Sequence, residues 1–486
     1  MYSNSFILLA FIVYAVGTII IGVIGYRKVK TTEDYIIGSR SLGTLVSALS
    51  AEAADMSAWL FMGLPGAIYL AGTGQAWIAV GLLLGTILNW LLVAKRIRNR
   101  SQEVGNATTI PEFFANISQT TSKKLFITVR VLSSSIIIIY FIVYTASGFV
   151  AGGKFFSYVF GTDYFTGLLF TVFILVFYTF LGGFLSISWN SVLQGLLMLV
   201  SILVVPVALF IVSPGSIGSL AEASRNFITT PSSDIISSLA WALGYFGMPH
   251  ILIKYMAQKD ITKVRRSATI AITWCFISLL SAVLIGILGV GFIGNGVLNQ
   301  ANSENLFFVV INYLFIKNGT ILSILVAGFF FCAVLSAIMS TAATQLLMIS
   351  TSSSVDIYSS VISDEATDEQ KLDMSRFSVI VVAFLGFIMA INSNNTVMGL
   401  VSTAWAGFGA VFGPLVLLSL YWKKITAWGS IFGMLTGLIV VLVWPLLSFS
   451  VAQYSILPGF ISSALTIIIV SKITYKKPLA RHLHEE

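Results

Sequence analysis

The sequence predicts an all-α, polytopic membrane protein with about thirteen transmembrane helices, and three observations lead to that fold class. Hydrophobic residues make up 57% of the 486 residues and charged residues only 9%, whereas a soluble globular domain carries roughly a quarter charged residues. Apolar runs of membrane-spanning length recur along the whole chain. Two of these runs contain the same glycine and proline spacing, which predicts a pair of inverted five-helix repeats.

The predicted spans follow one another with mostly short connections. Their approximate bounds are 5–26, 42–71, 75–94, 125–152, 163–182, 189–212, 235–256, 269–292, 319–350, 374–391, 397–420, 426–447 and 454–472. The first run is followed by a basic segment and by no small-residue cleavage site. It is therefore predicted to be a retained helix with an external N-terminus and not a signal peptide.

Basic residues predict the orientation of these spans. If the N-terminus is outside, all 27 lysines and arginines except Lys154, Arg225 and Lys317 fall on the cytoplasmic side. A missed or additional span would mix the two sets, so the asymmetry supports the spans together and predicts a cytoplasmic C-terminus. The net charge of +8 thus reflects orientation in a lipid bilayer. No nucleic-acid partner is expected, no obligate protein partner is evident, and the acidic segment 356–373 is predicted to be a solvated cytoplasmic loop.

Glycine and proline interrupt two of the spans. Gly63-Leu-Pro65 lies in the second span and Gly247-Met-Pro249 in the seventh. Proline removes a helical hydrogen bond and glycine weakens a helix, so both spans are predicted to be discontinuous near mid-membrane. An ordinary proline kink accounts for either motif alone. Because the motifs are five spans apart, they predict two repeats of opposite orientation with a binding site between them, as in secondary transporters.

The whole chain, residues 1–486, is predicted to form a single transmembrane transport domain. Its parts are an additional N-terminal helix (5–26), a first five-helix repeat (42–212), a second repeat (235–420), two additional helices (426–472) and a cytoplasmic tail (473–486). A channel would need a continuous polar lining, and an enzyme would need a cluster of catalytic groups. The chain has only three histidines and concentrates its polar residues at a few mid-membrane positions, so neither class is predicted.

One acidic pair falls inside a long apolar stretch. Glu52 and Asp55 belong to the segment Ser50–Trp59 in the second span. A charge in hydrocarbon costs from ~3 kcal/mol upward, so it is retained mainly where it faces a protein interior or a water-filled path. This segment is therefore predicted to lie at the functional site.

Hydroxyl-bearing residues line one face of the ninth span. Ser336, Ser340 and Thr344 recur every four residues, with Thr341 beside them, so they stack along the helix. Such hydroxyls also serve as packing contacts or bond to their own helix. Together with the carbonyls of a broken helix, they supply the oxygen ligands that a hard cation favours. Sodium is therefore the predicted coupling ion, with Asp55 tuning the local field or a gate instead of binding directly.

Four segments resemble the sodium/solute symporter family. They are Ala53–Trp59, Gly182–Gln194, Gly244–His250 and Ser336–Thr341, and the similarity extends over essentially the whole chain. It implies a leucine-transporter-like inverted repeat, with spans one, twelve and thirteen outside it. Within the family the segments are most similar to bacterial sodium/proline symporters. That similarity implies sodium-coupled uptake of L-proline by alternating access in the bacterial cell membrane.

The resemblance also implies a set of site residues. Sodium would be bound by the backbone carbonyls of Ala53, Met56 and Ala337 and by the hydroxyls of Ser340 and Thr341. The solute would contact Ser57, Trp59, Tyr140, Trp241 and Tyr245. Coupling or gating roles would fall on Asp55, Arg40, Gly63, Pro249 and Asn190. A positive-inside anchor is the alternative explanation for the arginine of this last set.

Two positions depart from the pattern of the family. Asn190 stands where the glycine-rich motif usually has aspartate, and Met248 stands where proline symporters commonly have glutamine. The first change removes a carboxylate that would act at sodium or at a gate, and the second removes an amide from the second break. The alternative substrate is therefore another small solute: another amino acid, pantothenate, a short carboxylate or a sugar.

Overall fold

The computed structural model describes residues 2–213, 226–294, 296–317, 319–363, 366–392, 394–447 and 454–475. Within these ranges the protein is almost entirely helical, and its β-type pairings are two isolated parallel bridges. The α-helices are α1 (Tyr2–Tyr26), α2 (Thr32–Ile37), α3 (Thr44–Asp55), α4 (Gly63–Ala71), α5 (Ala76–Leu88), α6 (Lys95–Glu103), α7 (Ile110–Ile117), α8 (Lys123–Phe160), α9 (Tyr164–Leu181), α10 (Phe184–Val212), α11 (Ser232–Leu239), α12 (Pro249–Met256), α13 (Val264–Ile293), α14 (Leu306–Ile311), α15 (Ile321–Thr351), α16 (Asp368–Ala390), α17 (Val397–Tyr421), α18 (Ala427–Val443) and α19 (Ile456–Thr474).

The second predicted span consists of two helices. Helix α3 ends at Asp55 and α4 begins at Gly63; between them the backbone leaves the helix at Ser57, with a φ of 23°, and makes one 3-10 turn over Ala58–Leu60. The break is therefore centred before the Gly-x-Pro motif. Proline is tolerated in the first turn of a helix, where its missing N–H has no helical partner, and Pro65 lies in that turn of α4.

The seventh predicted span is also broken. Helix α11 runs into a 3-10 helix over Ala240–Phe246, and α12 begins at Pro249 after a bend of 44°. Proline suits this first helical position because its φ is already that of a helix. At one end the two broken spans meet: the Leu42 N–H donates to the Ala257 carbonyl at 3.1 Å, and the Lys259 N–H donates to the Leu42 carbonyl at 2.9 Å.

Each predicted span coincides with a helix or a broken helix pair of the described residues, but the count of thirteen is not confirmed. Among the described residues, ten helices are long and apolar enough to cross a membrane, and the bent pair of α11 and α12 adds an eleventh. The runs predicted at 42–71 and 163–182 correspond to α3 with α4 and to α9, whose apolar segments are shorter. The chain is thus a multi-pass membrane protein.

Helix α15 lies at the centre of the molecule. Every side chain from Phe330 to Thr351 is buried, and the helix contacts α1, α3, α8, α10 and α16. Helix α3 contacts α10, α12 and α13 as well, so both broken spans lie against the interior of the bundle. The outer helices α1, α9, α16, α18 and α19 expose large apolar side chains, which is the surface expected to face lipid.

A buried ion pair joins helices at one end of the bundle. Lys154 of α8 lies 2.8 Å from Glu304, and their side chains are only 10% and 6% exposed. The other carboxylate oxygen of Glu304 accepts the Met398 N–H at 3.1 Å, at the start of α17. Lys154 also donates to the Asn395 carbonyl at 3.1 Å. This network joins α8, the segment before α14 and α17.

The acidic segment 356–373 is not simply a solvated loop. Helix α15 continues as a π-helix over Ser352–Ile362, and Asp356 within it is fully buried. Its Oδ1 atom accepts hydrogen bonds of 2.7 Å from Arg130 Nε and from the Thr109 hydroxyl. These two partners, distant in sequence, explain why the prediction from composition was wrong for this part of the segment. The first two residues of the predicted tail (473–486) belong to α19, and most of the rest lies outside the described residues.

Candidate functional site

The predicted sodium ligands come together where α3 ends against α15. The Ser340 hydroxyl donates to the Ala53 carbonyl at 2.7 Å and lies 3.3 Å from the Ala337 carbonyl. The Thr341 hydroxyl lies 3.5 Å from the same Ala53 carbonyl. A helix end leaves its last carbonyls without helical partners, which is why the Ala53 oxygen is available to α15. Four of the five predicted ligands are therefore connected, and Met56, the fifth, is the buried residue that follows α3.

Asp55 connects the two broken spans. Its side chain is 2% exposed, and its Oδ2 atom accepts a hydrogen bond of 2.7 Å from the Tyr245 hydroxyl, in the 3-10 segment before α12. The Asp55 backbone carbonyl accepts from the Tyr144 hydroxyl of α8 at 3.3 Å. Its Oδ1 atom has no hydrogen-bond partner among the described residues. The carboxylate thus lies two residues after Ala53, whose carbonyl meets the Ser340 hydroxyl, and is hydrogen-bonded to the second broken span.

Glu52, the other acid of the pair, has a different environment. Its Oε1 atom accepts a hydrogen bond of 3.1 Å from the Trp90 indole N–H, in the π-helical turn that follows α5. The side chain is 3% exposed. This contact ties α3 to the third predicted span, so Glu52 has a positioning partner of its own, separate from the Asp55 contact with the second break.

The predicted solute residues are all buried, and two of them share a neighbour that the sequence did not indicate. Trp405 of α17 donates its indole N–H to the Trp241 carbonyl at 2.8 Å, and its ring lies 5.0 Å from that of Tyr245. Tyr140 faces Phe408 of the same helix, with ring centroids 5.6 Å apart. Helix α17 therefore forms one wall of this aromatic region.

The remaining predicted solute residues belong to the first break. The Ser57 hydroxyl accepts the Trp59 N–H at 3.4 Å, and both side chains are buried. Gly63, the first residue of α4, lies close to Trp59: a Cβ atom at Gly63 would be 3.2 Å from the Cβ of Trp59 and 3.5 Å from the Met398 side chain. Gly63 thus permits close approach of α4 to the tryptophan and to α17. Pro249, by contrast, acts through the backbone as the first residue of α12.

Glycines mark the close contacts of α17. A Cβ at Gly244 would be 2.0 Å from the Trp405 ring, and a Cβ at Gly407 would be 2.1 Å from the Tyr140 ring. The clustering of glycines in 404–413 was the available signal for this wall, because glycine in a transmembrane helix commonly permits close approach. Sequence reasoning also missed Tyr144 and His250, whose rings lie 6.0 Å apart beside the breaks.

Two predicted coupling residues are not brought to this region. Arg40 precedes α3, and its guanidinium donates to the Met256 carbonyl at 2.8 Å, to the Ala107 carbonyl at 2.7 Å and to the Ser101 hydroxyl at 3.1 Å. Burial lowers the pKa of Arg40 to about 10, so it stays charged at neutral pH. Asn190 is buried on α10, and its amide lies against Gly22 of α1.

Comparison with known proteins identifies the group to which the chain belongs. The model of the sodium:solute symporter family matches residues 35–437. The high-affinity proline transporter PutP of Bacillus subtilis is 40% identical over 463 residues, covering 94% of this chain and 96% of the relative. The sodium/proline symporter of Salmonella typhimurium is 40% identical over 476 residues, covering 96% and 92%. The osmoregulated proline transporter OpuE of Bacillus subtilis is 38% identical over 475 residues, covering 96% and 94%.

Solved structures confirm the predicted leucine-transporter-like fold. A sodium-coupled sialic acid symporter in a substrate-bound outward-open state superposes with a TM-score of 0.79 at 17% identity, over 98% of this chain and 99% of the other. A nucleobase-cation-symport-1 family transporter in a closed conformation gives 0.55 at 14% identity, over 92% and 96%. At these identities the structures show the fold alone. The family match and the full-length relatives go further, and the chain belongs to the sodium:solute symporter family.

Proposed function

We propose that this protein imports L-proline across a bacterial cell membrane by coupling it to the inward movement of sodium. The relatives named above as proline transporters match nearly the full chain. The single observation that carries the ion site is the contact of the Ser340 hydroxyl with the Ala53 carbonyl at 2.7 Å, because it places a hydroxyl of α15 on the free carbonyl of a broken helix.

In the proposed topology the N-terminus is outside, the C-terminus is cytoplasmic, and 42–212 and 235–420 are the inverted repeats. The distribution of basic residues supports this orientation. It places the Lys154–Glu304 pair at the external end and Arg40 at the cytoplasmic end. Each broken span is then the first span of its repeat, so the two breaks occupy equivalent positions, as expected for inverted repeats with a site at their interface.

Sodium would be held by the carbonyls of Ala53, Met56 and Ala337 and by the hydroxyls of Ser340 and Thr341. The ion would stabilise the end of α3 against α15. Because the Asp55 carboxylate accepts from Tyr245 at 2.7 Å, that position of α3 also sets the position of the second break. An ion that favours the solute-accepting arrangement in this way must be favoured by the solute to the same degree.

The solute would lie between the breaks, near Trp59, Tyr140, Trp241 and Tyr245, with Ser57 at the first break. Proline presents a compact apolar ring to these aromatic walls. The amides freed at a helix break and the start of a helix suit its carboxylate, and its cationic nitrogen suits a carbonyl or an aromatic face. A tenfold sodium gradient and ~100 mV together supply ~3.7 kcal/mol, so one ion supports roughly 400-fold accumulation of a neutral solute.

The first test is uptake of labelled L-proline into proteoliposomes, with an inward sodium gradient compared against an equal choline gradient. We expect uptake that requires sodium and that unlabelled proline inhibits better than other amino acids, pantothenate, short carboxylates or sugars. Sodium-dependent uptake of one of those competitors, with none of proline, would contradict the substrate and would direct attention to Met248, which is fully buried at the N-terminus of α12.

The ion site is tested by the double variant Ser340→Ala, Thr341→Ala. It removes two oxygen ligands, so we expect loss of sodium-stimulated uptake. The matched control is Ser402→Ala, Thr403→Ala on α17, an adjacent serine–threonine pair whose hydroxyls donate to the Gly399 carbonyl of their own helix; it should transport normally. Sodium stimulation that persists in the first variant would refute the site.

A further inference from the structure

Lys254 of α12 is a buried basic residue that the proposed function does not use. Its side chain is 0% exposed, its Nζ atom donates to the Ser188 hydroxyl at 2.8 Å, and it lies 4.5 Å from the centre of the Phe184 ring. Among the described residues, none of the ion pairs includes Lys254. A buried charge is strongly unfavourable without a counter-charge, so this position suits an anion that arrives from elsewhere.

His250 lies one helical turn closer to the break. It is 0% exposed, and neither of its ring nitrogens has a hydrogen-bond partner within the described residues. Buried polar groups normally have partners, so this imidazole also has unused capacity for a ligand. Residues four apart share a helix face and are separated by about 6 Å along the axis. Helix α12 therefore presents two nitrogen-bearing side chains in succession on one face.

The two side chains lead from the proposed solute region toward the cytoplasmic end. His250 directly follows Pro249 at the break, and its ring lies 6.0 Å from that of Tyr144, whose hydroxyl donates to the Asp55 carbonyl. Farther along, the Ser47 hydroxyl of α3 lies 3.3 Å from the Lys254 carbonyl. The helix ends at Met256, whose carbonyl accepts from Arg40. Lys254 thus lies between the proposed site and the Arg40 contacts at the end of α12.

We infer that His250 and Lys254 form a second binding site, on the cytoplasmic side of the breaks, for the carboxylate of the solute as it leaves. The inference rests on the proposed function, in that the solute must carry a carboxylate. A charge-assisted hydrogen bond from an amino group to a carboxylate is among the stronger polar contacts. The solute carboxylate would exchange the helix amides at the break for His250 and then for Lys254, while the sodium ligands keep their place on α3 and α15.

The prediction is an asymmetry in affinity between the two faces of the membrane. Solute arriving from outside meets the breaks first, whereas solute arriving from the cytoplasm meets Lys254 first. We expect Lys254→Met to raise the KM for L-proline at the cytoplasmic face by about tenfold or more, the effect of one lost charge-assisted hydrogen bond. The external KM should change less than about twofold. Lys254→Arg keeps the charge and should retain the cytoplasmic affinity.

The experiment measures sodium-equilibrated proline exchange in right-side-out and inside-out membrane vesicles. Lys263→Met is the matched control, because Lys263 is exposed and its nearest acidic partner is Asp260 at 3.4 Å; both KM values should match the wild type. Prolinamide, which lacks the carboxylate, should inhibit from the cytoplasmic face equally in wild type and Lys254→Met. His250→Asn should raise the cytoplasmic KM alone, and it decides the question if Lys254→Met does not reach the membrane.

An equal rise of KM at both faces, or no rise at either, would overturn the inference. So would a parallel loss of prolinamide inhibition, because the lysine would then act on general packing and not on the carboxylate. Failure of the proposed function has a different signature: the wild-type protein itself would show no sodium-dependent proline uptake in either type of vesicle.

Discussion

At the scale of single residues, the hydrogen bond from Tyr245 to Asp55 is the direct link between the two broken spans. The hydroxyl and the carboxylate are 2.7 Å apart, and both side chains are 2% exposed. A hydrogen bond to a charged group contributes about 1.5–3 kcal/mol, and a buried carboxylate that loses it retains its desolvation cost. In the proposed mechanism, coupling between an ion on α3 and a solute beside the second break therefore depends on this contact.

Tyr245→Phe removes the hydroxyl and keeps the ring against Trp405. The ratio of proline affinity with sodium to that without sodium should be about ten times smaller in this variant than in the wild type. The reason is that a hydrogen bond to a charged group contributes enough free energy for at least a tenfold effect. The measurement is proline binding with and without sodium. Tyr421→Phe is the control, since the Tyr421 hydroxyl donates to the Leu92 carbonyl at an exposed position. An unchanged sodium effect in Tyr245→Phe would contradict the role of the link.

At the scale of secondary-structure elements, α17 is positioned by glycines of the second break. A Cβ at Gly247 would lie 2.1 Å from the Phe408 carbonyl oxygen and 2.8 Å from the Gly413 nitrogen, both backbone atoms of α17. Backbone cannot move aside as a flexible side chain can, so the two elements would have to separate. The aromatic wall of Trp405 and Phe408 would move with α17.

Gly247→Ala is therefore expected to lower the thermal unfolding midpoint and to abolish uptake, with a destabilisation of about 1–3 kcal/mol, as for other overpacked positions. Gly148→Ala on α8 is the matched control, because a Cβ there meets Ala342 at an ordinary 3.7 Å; it should unfold no earlier than the wild type. Detergent-solubilised protein followed by intrinsic fluorescence provides the midpoint. Equal midpoints for the two variants would show that α17 does not require this approach.

The elements differ in how far the sequence could predict them. Proline and glycine revealed both broken spans, because their backbone effects are local. The first break nevertheless lies at Met56–Met62, where Ser57 with its positive φ is an ordinary serine in the sequence. Trp405 was not predicted, because an aromatic residue in an apolar helix is unremarkable until its partner, 164 residues away, is known. For the Ser340–Ala53 contact, the hydroxyl spacing predicted the polar face of α15, whereas Ala53 was identified by the family resemblance, because α3 ends at Asp55 and not at the Gly-x-Pro motif.

At the scale of the whole molecule, a buried polar network joins helices at each end of the bundle. Arg40, in the segment before α3, donates hydrogen bonds to Met256 at the end of α12, to Ser101 near the end of α6 and to Ala107, which follows α6. Lys154 and Glu304 join α8 to the start of α17 at the other end. Alternating access requires each network to open in turn, so weakening one should shift the population of states.

Arg40→Ala removes three hydrogen bonds of a charged group, and we expect it to favour opening at this end, which is cytoplasmic in the proposed topology. The readout is the reaction rate of a cysteine at Ser47, a fully buried position on α3, with a membrane-impermeant maleimide applied from the cytoplasmic side. Both native cysteines, Cys275 and Cys332, are first replaced by serine. The rate should rise about tenfold or more.

The control for this variant is Arg376→Ala, since the Arg376 side chain is 50% exposed and lies 3.6 Å from Asp373 on the same helix. Its labelling rate should equal that of the parent. If Arg40→Ala also labels at the parent rate, Arg40 would be an orientation anchor only, the alternative explanation for a basic residue at this end.

The burial of the Lys154–Glu304 pair has a consequence for the behaviour of the protein in concentrated salt. Mobile ions screen the attraction between solvent-exposed charges, and at physiological ionic strength the screening length is about 8 Å. Side chains that are 10% and 6% exposed leave little room for such ions between them. The attraction that holds this end of the molecule together is therefore expected to change little as the salinity of the medium rises.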